Sequence, residues 1–192
     1  MKNKITISLL ILCAGLVISA SRGKSSSGAP ASHTGAPDEQ TCATSGCHDD
    51  NNLNSGKAKF HVRLGENINS VESGKTYPIT IQIIDENVTR FGFQIVALNE
   101  NNENAGKFEI LDKVRTQFVK NEYKLKNRQY VTYTFNGTDA VTEGKGEWQV
   151  NWTAPSELKG KITFYASAVS ANDDMHDTGD IVYTYQLSLT AK

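Results

Sequence analysis

The 192-residue chain is poor in the residue types that most often carry out chemistry: it has three cysteines, four histidines and two methionines. It also lacks an excess of charge, because 20 basic residues are scattered among 21 acidic ones. A nucleic-acid partner is therefore not expected. Nucleophile-elbow, phosphate-loop and zinc-protease motifs are missing as well. These absences predict a binding protein rather than an enzyme.

Long apolar runs are rare too, and the one that is present lies at the start of the chain. Residues 5–18 follow Lys2 and Lys4 and precede small residues around Ala20. A positive, then an apolar, then a small-residue region is the order of a secretory signal peptide, which we assign to residues 1–21. The run is too short to favour a membrane span, so none is expected after cleavage. The protein is predicted to be exported, to the periplasm, the cell surface or the medium.

The next segment, residues 22–56, has few large apolar side chains, and Leu53 is its one large aliphatic residue. It is rich in glycine, serine, alanine, proline, asparagine and aspartate, a composition that cannot form its own core. It is predicted to be an irregular, flexible leader that lies on, or ahead of, a folded domain. Any pocket beside this leader must take its apolar walls from that domain.

The composition changes at residue 57. Short segments rich in valine, isoleucine, threonine, tyrosine and phenylalanine follow one another, separated by turn residues. Apolar side chains alternate with polar ones, which is typical of half-buried strands. Strands at this spacing predict an all-β, immunoglobulin-like β-sandwich over residues 57–192. Trp148 and Trp152 are expected in its core, or one in the core and one at the surface. The clearest alternation is that of Phe60, Val62 and Leu64, and of Ile79, Ile81 and Ile83.

The stretch TCATSGCHDD, residues 41–50, holds the two cysteines that remain after signal cleavage. Cys42 and Cys47 are separated by four residues, and His48 follows directly. Two thiols that bond to haem, followed by a histidine that binds its iron, form the haem c attachment motif, usually with two intervening residues. Residues 43–46 are small enough to bulge, so that both sulfurs can reach one ring. The motif predicts haem c with His48 as an axial ligand.

The same residues allow two other interpretations. Export into an oxidising compartment favours a structural disulfide between Cys42 and Cys47, which would stabilise a short loop modestly. Alternatively, Cys42, Cys47, His48 and His33 could ligate zinc or copper. All three interpretations stay open on these residues.

Four residues could supply the second, distal ligand of a haem iron. His33 lies in the leader and could fold back, whereas His61 lies on a predicted strand and is expected to face solvent. Met175 and His176 lie in a polar segment, residues 172–180. The aspartates of that segment do not have EF-hand spacing and are expected to be solvated turn residues. His33 and His176 are the two candidates that we retain.

Several segments together resemble the choice-of-anchor V domain proteins of bacteria. They are HTGAPDEQTCATSGCHDD, RFGFQIVAL, WQVNWTAP and ITFYASAVSANDDMHDTGDIVYT, and the resemblance covers residues 27–188. That family is similar in turn to the Reeler domain of animal secreted proteins. The resemblance implies a Reeler-like sandwich, an exported setting and a haem c-like motif at Cys42, Cys47 and His48.

Two functional hypotheses follow. The first is an exported haem c protein of the cell envelope that carries or senses electrons, with an unidentified redox partner. The second is a secreted binding or adhesion module with a structural Cys42–Cys47 disulfide, no haem and an unidentified extracellular ligand. Free sulfurs that face an open apolar pocket would favour the first hypothesis. Two bonded sulfurs at the surface would favour the second.

Overall fold

The computed structural model describes residues 28–66, 68–174 and 176–192; the predicted signal peptide and Met175 lie outside the described residues. Within these ranges the chain forms β-strands and one short 3-10 helix, Phe135–Thr138. No helix in them is long and apolar enough to cross a membrane. The strands are β1 (Lys59–Leu64), β2 (Ser70–Val71), β3 (Thr76–Ile84), β4 (Arg90–Leu98), β5 (Lys107–Ile110), β6 (Thr116–Val119), β7 (Tyr130–Tyr133), β8 (Lys145–Thr153), β9 (Lys161–Ala171) and β10 (Ile181–Ala191).

The strands form two sheets. Four strands pair in the order β1-β3-β8-β5, and six pair in the order β2-β10-β9-β4-β7-β6. The pair β2–β10 is parallel, and the other described pairs are antiparallel. The prediction of an all-β sandwich is therefore confirmed.

The core lies between the two sheets and uses the predicted alternation. Ile79, Ile81 and Ile83 of β3 are fully buried, whereas their neighbours in the strand are more exposed. Trp148 and Trp152 of β8 are buried in this core, as predicted. Each tryptophan donates its indole N–H to a backbone carbonyl oxygen at 2.9 Å, so that burial leaves no unpaired donor on either ring.

The residues of strand β4 are buried on both faces of the sheet. A strand with alternating apolar and polar residues, such as β3, needs burial on one face only. Phe91, Phe93 and Ile95 point into the core between the sheets, while Val96 and Leu98 are buried on the opposite face. An apolar outer face on a central strand indicates that something covers the sheet from outside. The covering segment is the leader.

Residues 28–56 lie across the outer face of the six-stranded sheet. The buried Gln94 of β4 accepts a hydrogen bond from the His33 backbone N–H at 2.8 Å and donates one to the Pro30 carbonyl at 2.7 Å. Gly28 passes so close to β7 that a Cβ there would lie 2.6 Å from the Tyr133 carbonyl oxygen. The leader is irregular, as predicted. Side chains of the sheet hydrogen-bond the backbone of this segment.

A buried ion pair adds to this attachment. Arg128, which precedes β7, donates to the Glu39 carboxylate at 2.6 Å, and the two side chains are 5% and 0% exposed. Tyr130 donates its hydroxyl to the same carboxylate oxygen at 2.8 Å. Arg128 also donates to the carbonyl oxygens of Pro37 and Asn102, both at 2.9 Å. This cluster joins the leader to the sheet through charges that have little access to water.

Candidate functional site

A cavity of about 300 Å³ lies between the leader and the outer face of the six-stranded sheet. The leader contributes polar and sulfur-containing side chains. The sheet and its connections contribute the apolar wall, as expected from the lack of large apolar residues in the leader. Leu53 is 42% exposed and is not part of this wall. The wall includes Gly92, Tyr133, Phe135, Val169 and Ala171.

The loop that carries the cysteines folds back on itself. The Cys47 backbone N–H donates to the Thr44 carbonyl at 2.8 Å, and the His48 N–H donates to the Cys42 carbonyl at 3.2 Å. Gly46 has a φ of +79°, a left-handed conformation that suits glycine. The four intervening residues therefore form a compact turn. Cys42, Cys47 and His48 all line the same cavity.

Both cysteines are free thiols, so the structure does not contain the disulfide of the second hypothesis. Cys42 is buried against Val169 and Val182 of the sheet, whereas Cys47 is half-buried. Burial away from water raises the pKa of the Cys42 thiol to about 11, although the Ser167 hydroxyl partly opposes this. The two sulfurs thus share a cavity but differ in their exposure to solvent.

Iodoacetamide should therefore modify Cys47 of the folded chain faster than Cys42, by roughly tenfold or more at pH 8. A pKa of about 11 leaves about one Cys42 thiol in a thousand ionised at that pH, and the rate should rise as the pH approaches the pKa. Peptide mass mapping after timed quenching measures both rates. The urea-unfolded chain is the control and should lose the difference. Equal rates in the folded chain, or no modification of either cysteine, would contradict the arrangement.

His48 is held by a buried carboxylate from the other end of the chain. Its Nδ1 atom lies 2.6 Å from Oδ2 of Asp180, whose side chain is 2% exposed. The contact is an ion-pair distance, although its angle is not that of a full hydrogen bond. An acceptor at this position favours the proton on Nδ1 and leaves Nε2 as the free nitrogen. The expectation that Asp180 is a solvated turn residue is wrong, because the carboxylate is buried beside an imidazole.

The other candidate iron ligands do not all lie at the cavity. His33 and His176 line the cavity with His48. His61 lies instead on β1, exposed to solvent as expected, with its ring edge-on to Tyr185 at 5.6 Å. Met175 falls outside the described residues.

Among the residues that the structure describes, no three histidine, cysteine, aspartate or glutamate side chains are grouped so that they could hold a metal ion by themselves. Cys42, Cys47, His48 and His33 are all described, and they border one cavity without forming such a group. The zinc or copper interpretation is therefore not supported.

Sequence reasoning missed the residues that the sheet supplies to the cavity. Arg90, at the start of β4, lies at its rim and pairs with Asp139 at 2.7 Å and Asp173 at 3.3 Å. The Tyr133 ring covers Gly92, where a Cβ would lie 2.6 Å from a ring carbon. A glycine inside the apolar segment RFGFQIVAL was the available signal, because glycine in a strand often marks a close approach.

Comparison with known proteins identifies relatives of this chain. A family described as the Reeler domain matches residues 40–176, a range that includes the cysteine loop. Spondin-1 of Xenopus laevis is 30% identical over 120 residues, which are 59% of this chain and 13% of that protein. The chain thus spans about an eighth of the length of this curated relative.

Two solved structures share the fold. The crystal structure of the human F-spondin reeler domain (fragment 1) superposes with a TM-score of 0.51 at 24% identity, covering 74% of this chain and 96% of that one. The crystal structure of the Reelin-N domain of F-spondin has a TM-score of 0.53 at 24% identity, covering 76% and 94%. At this identity the similarity establishes the fold.

Proposed function

This chain belongs to the Reeler domain family, and on that premise we propose that it is an exported binding protein whose ligand site is the cavity under the leader. Reeler domains occur in secreted proteins such as the spondins, which supports export, as does the predicted signal peptide. A volume of about 300 Å³ is at the lower end of the range for small-molecule sites. The proposed role is binding rather than catalysis.

We propose further that the ligand is haem c. The observation that carries this proposal is that two free thiols and an imidazole from one loop border one apolar cavity. A zinc or copper ion would need more side-chain ligands than the described residues group together. Haem brings its own four nitrogen ligands, so one or two imidazoles suffice from the protein. The resemblance to choice-of-anchor V proteins agrees with this proposal.

Each part of the cavity has a role in holding the group. Cys42 and Cys47 would each add across one vinyl group: the sulfur bonds to one carbon, the thiol hydrogen goes to the other, and no atom is lost. His48 would ligate the iron through Nε2, with its ring oriented by Asp180. The wall of Tyr133 and Val169 would exclude water from one face. Bound haem supplies one-electron exchange with a redox partner.

The second candidate is a secreted binding module without haem, and family membership favours it. The same cavity would then accept a different apolar ligand, or an extracellular partner would bind the surface. Cys42 and Cys47 would move together to form a disulfide.

The first candidate function predicts a coloured protein, and the second predicts a colourless one. We expect the full chain, exported from a host that matures c-type cytochromes, to carry about one haem per chain and to show sharp visible bands on reduction. The same chain made without the maturation system is the control and should be colourless. Absorbance spectra and a pyridine haemochrome assay measure both. A colourless protein from both hosts would refute haem c and leave the binding module.

A further inference from the structure

We infer that His33 is the second histidine that would ligate the haem iron, together with His48. This inference rests on the proposed function and deepens it. Two imidazoles that face one cavity would give a six-coordinate iron with no open position. Such a site suits electron transfer rather than binding of a small exogenous ligand.

The ring of His33 has a fixed tautomer. Its Nδ1 atom lies 3.0 Å from the carbonyl oxygens of both Pro30 and Ala31. Carbonyl oxygens accept hydrogen bonds and cannot donate them, so Nδ1 carries the proton and Nε2 has the free lone pair. Metal-binding histidines are usually held in this way, with the other ring N–H on a carbonyl or carboxylate oxygen. His48 has a buried carboxylate oxygen, Oδ2 of Asp180, at 2.6 Å from its Nδ1 atom.

The position of His33 is fixed as well. Its backbone N–H donates at 2.8 Å to Gln94, whose side chain is fully buried in β4. The Gln94 side-chain amide also donates a hydrogen bond to the Pro30 carbonyl oxygen at 2.7 Å. One side chain therefore holds both ends of the turn formed by residues 30–33. A ligand placed on such a turn is held before the iron arrives, which reduces the entropy lost on binding.

The competing residues lack this support. His176 lines the cavity but is exposed on the β9–β10 connection, and its backbone N–H donates to Asp174 at 2.8 Å. That hydrogen bond fixes the backbone at His176 but does not fix the direction of its imidazole ring. His61 belongs to the four-stranded sheet and contacts Tyr185. His33 is thus the described candidate that combines cavity exposure with a fixed free nitrogen.

The test compares His33→Ala with His176→Ala and His61→Ala as matched controls, all in the full exported chain. Wild type and both controls should show a low-spin, six-coordinate spectrum. His33→Ala should become high-spin and should bind added cyanide at least tenfold more tightly. Added imidazole should restore the low-spin spectrum of His33→Ala, which separates loss of a ligand from loss of folding. An unchanged His33→Ala spectrum, or loss of the low-spin form in His176→Ala, would overturn the assignment.

A second experiment distinguishes the assignment of His33 as an iron ligand from the proposed covalent attachment of haem. Haemin is titrated into the haem-free chain, and its spectrum is followed in wild type and in His33→Ala. If covalent haem is absent but haemin binds in a low-spin form that His33→Ala loses, the ligand assignment stands and covalent attachment fails. If covalent haem is present but high-spin in wild type, attachment stands and the assignment fails. If haem binds in neither form, both are overturned.

Discussion

Replacing Arg128 with alanine is expected to lower the free energy of unfolding by about 3–5 kcal/mol. The substitution leaves the Glu39 carboxylate, which is 0% exposed, without its cation. The Tyr130 hydroxyl and Thr34 still donate to it, but neither carries a compensating charge. The carbonyl oxygens of Pro37 and Asn102 lose a donor at the same time. Urea unfolding followed by tryptophan fluorescence measures the change.

The matched control is Lys145→Ala, which removes the partner of Glu147 on the exposed side of β8. That pair is 2.9 Å apart, with side chains 33% and 23% exposed. Surface pairs of this kind contribute about 0–1 kcal/mol, so a small change is expected. If Arg128→Ala were no more destabilising than Lys145→Ala, the buried pair would not hold the leader on the sheet.

Replacing both Cys42 and Cys47 with serine is expected to abolish covalent haem attachment completely. Serine has nearly the same shape but cannot form the thioether bonds that the two thiols are proposed to make. The cavity itself should persist, because its wall comes from Tyr133 and Val169 of the sheet. Haem staining of the denatured chain after gel electrophoresis measures covalent attachment without interference from loosely bound haem.

Ser45→Ala is the control for the double serine variant, since Ser45 is an exposed residue of the same loop. It should keep full haem staining. Covalent haem on the double serine variant would show that attachment uses other residues and would contradict the assignment of the motif. Loss of staining in Ser45→Ala as well would indicate a damaged loop instead.

The fold was predictable because its core depends on a local pattern. Alternation in β3 places Ile79, Ile81 and Ile83 on one face whatever the partner strands are. The packing of the leader was harder to predict. Glu39 and Arg128 are 89 residues apart, and no local pattern pairs them. The outward Val96 and Leu98 of β4 were the local sign that the sheet is covered.

The candidate site was predictable only in the part that lies in one loop. Cys42, Cys47 and His48 are neighbours in sequence, so their spacing alone indicated shared chemistry. Asp180 reaches His48 across more than 130 residues and stands in an acidic segment that resembles an ordinary turn. Tyr133 and Gly92 enter through pairing of β7 with β4, which the sequence does not specify. Contacts set by strand order could be found only from the structure.

The most direct test of the central claim is the intact mass of the mature protein under non-reducing conditions, after export from a host that matures c-type cytochromes. Addition of both thiols to haem loses no atom, so we predict the mass of the polypeptide plus one whole haem. A mass two hydrogens below that of the reduced polypeptide, with no haem, would mean a Cys42–Cys47 disulfide. That result would contradict the account and identify a haem-free binding module.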